Sequence, residues 1–131
     1  MRISVDIATA LYNLLTEDNY SASAHSVPAS LGRNLPHIHV ARTGGYTSDL
    51  VIENNNVDFD VYADNEADAM TAASNLCEWV RSLVGRMVDT PCHVAEITTL
   101  PYNNPDPRHP NIPRATFKAE IIVRTKGVYN A

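Results

Sequence analysis

Hydrophobic and polar positions along this chain repeat with two different periods, and the switches between them mark out its elements. Ile7, Ala10, Leu11, Leu14 and Leu15 recur at spacings of three and four, the stripe of an amphipathic helix. The spacing predicts a helix over residues 7–16, with Asp6 or Ser4 capping its free N–H groups. Residues 17–36 are polar, small and punctuated, and read as a connection holding a short strand or a turn. HIHVAR, residues 37–42, alternates with Ile38 and Val40 on the buried face of a short strand. Gly44-Gly45 then breaks the pattern, and residues 43–56 read as a long, polar, flexible excursion. In VDFDVYA, residues 57–63, Val57, Phe59, Val61 and Ala63 face the core while Asp58 and Asp60 face away from it.

At residue 64 the period changes from two to that of a helix. Asp64 or Asn65 supplies the cap, and Glu66 and Asp68 in the first turn suit the positive end of the helix dipole. Ala69, Ala73, Leu76, Val80 and Leu83, with Trp79 beside them, form the buried stripe of a helix over residues 66–84, stopped by Gly85. Arg81 and Arg86 near its other end again match the dipole. Residues 92–100 make a third strand whose alternation is imperfect, the mark of a bulge. Residues 115–125 make a fourth, with Phe117, Ala119, Ile121 and Val123 inward and Lys118, Glu120 and Arg124 outward. Residues 101–113 hold five of the eight prolines and read as a semi-rigid loop. The expectation is one α+β domain over residues 1–131, in the order α-β-β-α-β-β. Its four-stranded, mainly antiparallel sheet packs against two helices, and long loops project at 43–56 and 101–113.

Composition narrows the function. A chain of 131 residues with 44% hydrophobic and 19% charged residues is large enough to bury a core without staples. A net charge of −5 argues against general nucleic-acid binding, which needs phosphate-neutralising cations. The first fifteen residues are too amphipathic and too acidic for a signal peptide. No apolar run approaches the ~20 residues that span a bilayer, so the expected compartment is cytosolic. Cys77 and Cys92, the two cysteines, have no metal-like spacing and read as buried reduced thiols.

Candidate chemistry is sparse. Asp64, Glu66 and Asp68 are explained by capping and dipole complementarity, and Asp58 and Asp60 by a solvated sheet face. His37 and His39 form an HxH pair that zinc sites do use, yet His25, His93, His109, Cys77 and Cys92 stand at no recognisable offset from it. The two histidines read instead as facing solvent or a neighbouring subunit. No GxSxG, P-loop, GxGxxG or HExxH pattern occurs. Arg108, His109 and Arg114 gather a small basic spot around the proline loop.

Taken with the stretches IATALYNLL, LPHIHVAR, VDFDVYADNEADAMTAASNLCEWVRSLV and RATFKAEIIVRT, this order of elements resembles the tail terminator (tail completion) proteins of long-tailed bacteriophages. The resemblance runs from about Asp6 to Lys126. It implies a non-enzymatic virion protein of the tail or neck, assembled in the host cytoplasm as a homo-oligomeric ring, typically a hexamer. Such a ring ends polymerisation of the tail tube protein and presents a surface to the head-side connector or stopper protein. DNA passes through the channel without specific binding, and neither a cofactor, a metal nor a membrane is implied. Six copies would carry about −30 in charge, which suits a channel that must not hold phosphates.

Expected subunit or partner contacts lie on the two loops, at Gly44, Gly45, Tyr46, Asp49, Tyr102, Arg108, His109 and Arg114. Asp58 and Asp60 are expected on a lumenal face or against a neighbour's basic residues. Both loops are expected to be mobile in the free subunit and ordered in the ring. The alternatives are another neck or minor tail component, such as a head-completion stopper, and a small metal-dependent enzyme built on the histidines.

Overall fold

The computed structural model describes residues 2–48 and 51–127. Its elements run β1 (Arg2–Ile3), α1 (Ile7–Glu17), β2 (Ser21–Ala24), a single 3-10 turn (Leu31–Arg33), β3 (His37–Ser48), β4 (Ile52–Tyr62), α2 (Glu66–Arg81), β5 (Met87–Val88), β6 (Thr90–Asn103), β7 (Arg114–Arg124) and β8 (Lys126–Gly127). β2, β3, β4, β7 and β6 form a mixed sheet in that order, and the two-residue β5 extends it beyond the start of β6. β1 and β8 pair separately, joining the two ends of the described chain. The α+β class, the two helices and the antiparallel run β3-β4-β7-β6 are as the periodicity predicts.

Both helices lie on one face of the sheet, α2 across β4, β7 and β6 and α1 against β2 and β3. Ile7, Leu11 and Leu15 of α1 and Ala69, Ala73, Leu76 and Val80 of α2 are buried against Val57, Phe59, Val61, Phe117, Ala119, Ile121 and Val123. Phe59 and Phe117 are register partners and stack at a centroid distance of 4.9 Å. Asp6 caps α1 through Thr9 N, and Asn65 caps α2 through Asp68 N at 2.8 Å, settling both choices of cap. Cys77 and Cys92 are buried free thiols, and burial raises the pKa of each.

Three expectations need correction. The sheet has five main strands rather than four, and it is mixed, because Ser21–Ala24 pairs parallel to β3. SASA carries no large apolar side chain, so hydrophobic alternation could not reveal it.

Second, residues 43–48 and 52–56 are strand and not a flexible excursion. β4 is paired on both sides from Ile52 to Tyr62, and Glu53, Asn54 and Asn55 are buried. Backbone ladders hold these polar residues in a strand, and Asn55 Nδ2 donates to Ile121 O at 3.3 Å. Gly44 and Gly45 do not end β3; at φ +139° and +144° they carry a register shift within it.

Third, the proline loop does not project. Asn104 N donates to Arg114 O at 2.9 Å, and Asp106, only 8% exposed, is bonded back onto Tyr62. Register shifts along β6, at Cys92/Val94, Ile97/Thr99 and Thr99/Tyr102, are the predicted bulging.

Candidate functional site

With both helices on one side, the other face of the sheet is left open. Strand alternation places on it Ser21 and Ser23 of β2, His37 and His39 of β3, Asp58, Asp60 and Tyr62 of β4, and Arg114, Thr116 and Lys118 of β7. The loop 104–113 folds over the end of this face that carries Tyr62 and Arg114. Between that loop, β3, β4 and residues 25–27 lies a cavity of about 470 Å³ lined by His25, His39, Asp60, Tyr62, Asp106, Arg108, His109 and Arg114, among others.

Its floor is a bonded network. Tyr62 Oη donates to Asp106 Oδ2 at 2.8 Å, and burial, reinforced by that carboxylate, pushes the phenol up to about 12. Burial pushes the Asp106 carboxyl up as well. The hydrogen bonds it accepts from Arg108 N, Tyr62 Oη and His109 outweigh that and hold it at about 2. Arg114 stacks its guanidinium over the Tyr62 ring at 5.9 Å, donates from Nε to Asn104 O at 2.6 Å, and stands 3.8 and 3.7 Å from Asp60 and Asp106. Asp60 also accepts from Thr116 Oγ1 at 2.6 Å. Asp106 Oδ2 holds His109 Nδ1 at 3.1 Å, which leaves the Nε2 of His109 as the unengaged ring nitrogen.

The HxH pair is not arranged for a metal. Ser23 Oγ bridges His37 Nε2 and His39 Nδ1, 2.8 Å from each, and Ser21 Oγ lies 2.7 Å from His37 Nδ1. His37 is buried, which corrects the expectation that both histidines face solvent or a neighbour. Its cover is β2, the strand that apolar alternation could not reveal. Burial lowers the pKa of both imidazoles, and the proximity of His39 lowers that of His37 further. Among the described residues no group of three or more His, Cys, Asp or Glu side chains is placed to hold a metal ion.

Of the residues expected to make contacts, Arg108, His109, Arg114 and Asp60 meet at this cavity. Tyr102 lies on the neighbouring strand, opposite Thr116. Gly44, Gly45 and Tyr46 lie at the far end of the sheet, where Tyr46 pairs with Asn54. Asn54 is eight positions along β4 from Tyr62, roughly 27 Å at 3.4 Å per residue. Asp49 lies outside the described residues. Asp58 is held by Lys118 Nζ at 3.2 Å, so the basic groups facing both outward acids belong to the same chain. Tyr62, Asp106, His39 and His25 were not singled out as contact residues. The alternation of β4 does put Tyr62 on the same face as Asp60, but nothing local marks Asp106 as its partner.

Comparison with the sequence profiles of known protein families returns no match to this chain, and comparison with curated protein sequences returns none either. No helix among the described residues is long and apolar enough to cross a membrane.

Proposed function

We propose that this chain is the subunit of a closed homo-oligomeric ring, the tail terminator that its sequence resembles, and that copies join through the edges of their sheets. One observation carries the reading. Among the described residues both sides of the sheet end in unpaired strand. β2 covers β3 only at residues 37–40, leaving the outer side of 41–48 unpaired. β5 with the turn before it covers β6 only at residues 90–92, where Cys92 bonds Gly85 and Arg86 through its backbone, leaving the outer side of 93–103 unpaired. Long open edges are a liability in a lone subunit, and pairing with another chain removes it.

The two edges are different strands on opposite sides of one sheet. That is a heterologous interface, the kind that closes into a ring. β3, β4, β7 and β6 alternate in direction, so β6 of one copy would meet β3 of the next antiparallel. With no shift along the strands, the row Tyr46–Asn54–Ile122–Val94 would continue from copy to copy. Tyr46, 63% exposed, and Leu100, 70% exposed, are apolar surface that such pairing would cover.

On this reading the helix-free face lines the channel, with Asp58 and Asp60 already balanced by Lys118 and Arg114, and DNA slides past a polar wall with little free charge. The strands run along the axis, so the Gly44–Tyr46 end and the Arg108–His109 end would meet different axial partners, tail tube on one side and head-side connector on the other.

Light scattering on the eluting protein tests the proposal. The expected result is a concentration-dependent ring that Tyr46→Lys and Leu100→Lys each convert to a folded monomer, since a lysine on an exposed edge blocks pairing. A wild-type chain that stays monomeric at every concentration, or a ring indifferent to both substitutions, would overturn it.

A further inference from the structure

We infer that the cavity under the proline loop is a binding site for a phosphate-class oxyanion, a property the ring reading does not require. The argument rests on which hydrogen-bonding groups the cavity has left over. Its acceptors are largely spent: both oxygens of Asp106 accept bonds, from Arg108 N, Tyr62 Oη and His109 Nδ1, and Asp60 Oδ1 accepts from Thr116. Asp60 Oδ2, 3.8 Å from Arg114, is the least engaged. Arg114 is spent as well, on Asn104 O, on the Tyr62 face and between the two carboxylates.

The groups not committed are one guanidinium and two ring nitrogens. The guanidinium of Arg108 is unpaired among the described residues, because the bond this residue makes uses its backbone N–H. His109 and His39 are each fixed through Nδ1, to Asp106 and Ser23 respectively, so each ring is oriented with Nε2 unengaged. His25 contributes a third ring at the rim, hydrogen-bonded through Nε2 to Thr9. An unpaired guanidinium and two oriented imidazoles around one concavity match a phosphate-class ligand, whose oxygens accept from Arg108 and whose P–OH can donate to the Nε2 lone pair of His109. The volume, about 470 Å³, is in the range of small-molecule sites and exceeds what a bare tetrahedral anion fills. The oxyanion therefore comes attached to something, a phosphorylated small molecule.

In formal charge Asp60 and Asp106 offset Arg108 and Arg114, so recognition rests on the directed bonds of Arg108 and the two rings rather than on net charge. Asp6, 3.6 Å from His25, is the further charged group facing these rings.

Sulfate is the first probe. Titrating sodium sulfate into the full chain while following the histidine ring proton resonances, against sodium chloride at matched ionic strength, should shift His39 and His109 selectively. Arg108→Gln, an exposed loop position, should weaken binding by about tenfold while leaving the spectrum elsewhere unchanged. A nucleoside monophosphate, titrated next, should bind more tightly than sulfate, and a short single-stranded oligonucleotide should not. Equal shifts with chloride, tighter binding of the oligonucleotide than of the monophosphate, or full binding by Arg108→Gln would each overturn the inference.

Discussion

Asp106 and Tyr62 illustrate how much one residue pair can fix. The carboxylate ties the loop 104–113 to the sheet, and its depressed pKa, about 2 against an ordinary 3.8, makes the tie dependent on pH. The folded state binds the proton more weakly than the unfolded chain does, so the contribution is complete above the unfolded value near 3.8 and is lost as pH falls toward 2. A shift of this size corresponds to about 2 kcal/mol. Urea unfolding at neutral pH should show Asp106→Asn less stable by about that amount, with the difference shrinking toward about pH 2. A difference that persists unchanged in acid would mean that the loop is held by something else.

His37 has the opposite charge and a pH dependence of the same sign. Burial lowers its pKa below the ordinary 6.5, so below that value the unfolded chain takes up protons that the folded one resists. Stability is therefore expected to decline as pH drops through about 6, and His37→Gln, which can still bond Ser21 and Ser23, should flatten that decline. Thermal melts of the two proteins across that interval test it, and parallel profiles would reject it.

At the scale of elements, the β3–β4 hairpin depends on a single missing methyl group. A Cβ on Gly45 would sit 1.9 Å from the carbonyl oxygen of Asn54, on backbone at φ +144°. One on Gly44, at φ +139°, would meet nothing within 4 Å. Gly45→Ala should therefore cost about 2–4 kcal/mol, by clash and strain together, and Gly44→Ala only the strain, about 1 kcal/mol. Equal losses in chemical denaturation would show that the close approach of β4 to Gly45 is not what matters.

The same hairpin marks the limit of what was legible from the chain. Wherever one side of an element is buried and the other solvated, the period revealed it: α1, α2, β7 and the Val57–Tyr62 half of β4 lie where expected. The other half of β4 reads Ile-Glu-Asn-Asn-Asn, and its burial is tertiary. Glu53 is fully buried because its Oε2 accepts from Val5 N at 2.9 Å and Arg42 stands 3.3 Å from its Oε1, contacts 48 and 11 positions away in sequence. β2 was hidden for a related reason, since its serines are spent on His37 and His39 of a parallel neighbour. Half of the candidate site was visible as the basic residues around the prolines. The remainder needed the loop to be folded down before Asp106 and Tyr62 could be seen to meet.

For the molecule as a whole, the open edges and the charge act against each other. In the proposed ring each subunit would carry −5, and closing it would concentrate that charge, so electrostatic self-repulsion would oppose assembly. Within the chain the visible cations are mostly committed: Lys118 to Asp58, Arg114 to Asp60 and Asp106, Arg42 to Glu53, Arg86 to Asp18, and Lys126 to Asp89. Few remain to form ion pairs across a subunit boundary. In the proposed ring the attraction would then come from backbone hydrogen bonds along the 41–48 and 93–103 edges and from the burial of Tyr46 and Leu100, neither of which salt weakens. Raising ionic strength shortens the Debye length from about 30 Å at 0.01 M to about 10 Å at 0.1 M and so removes the repulsion while sparing the attraction. Ring formation is therefore expected to strengthen with added sodium chloride, read as a fall in the dissociation constant by sedimentation velocity. Amide exchange should slow within residues 41–48 and 93–103 at the same salt concentrations at which the ring appears. Dissociation by salt would place the interface on charged surfaces instead of the sheet edges, and unchanged exchange along both edges in the assembled state would do the same.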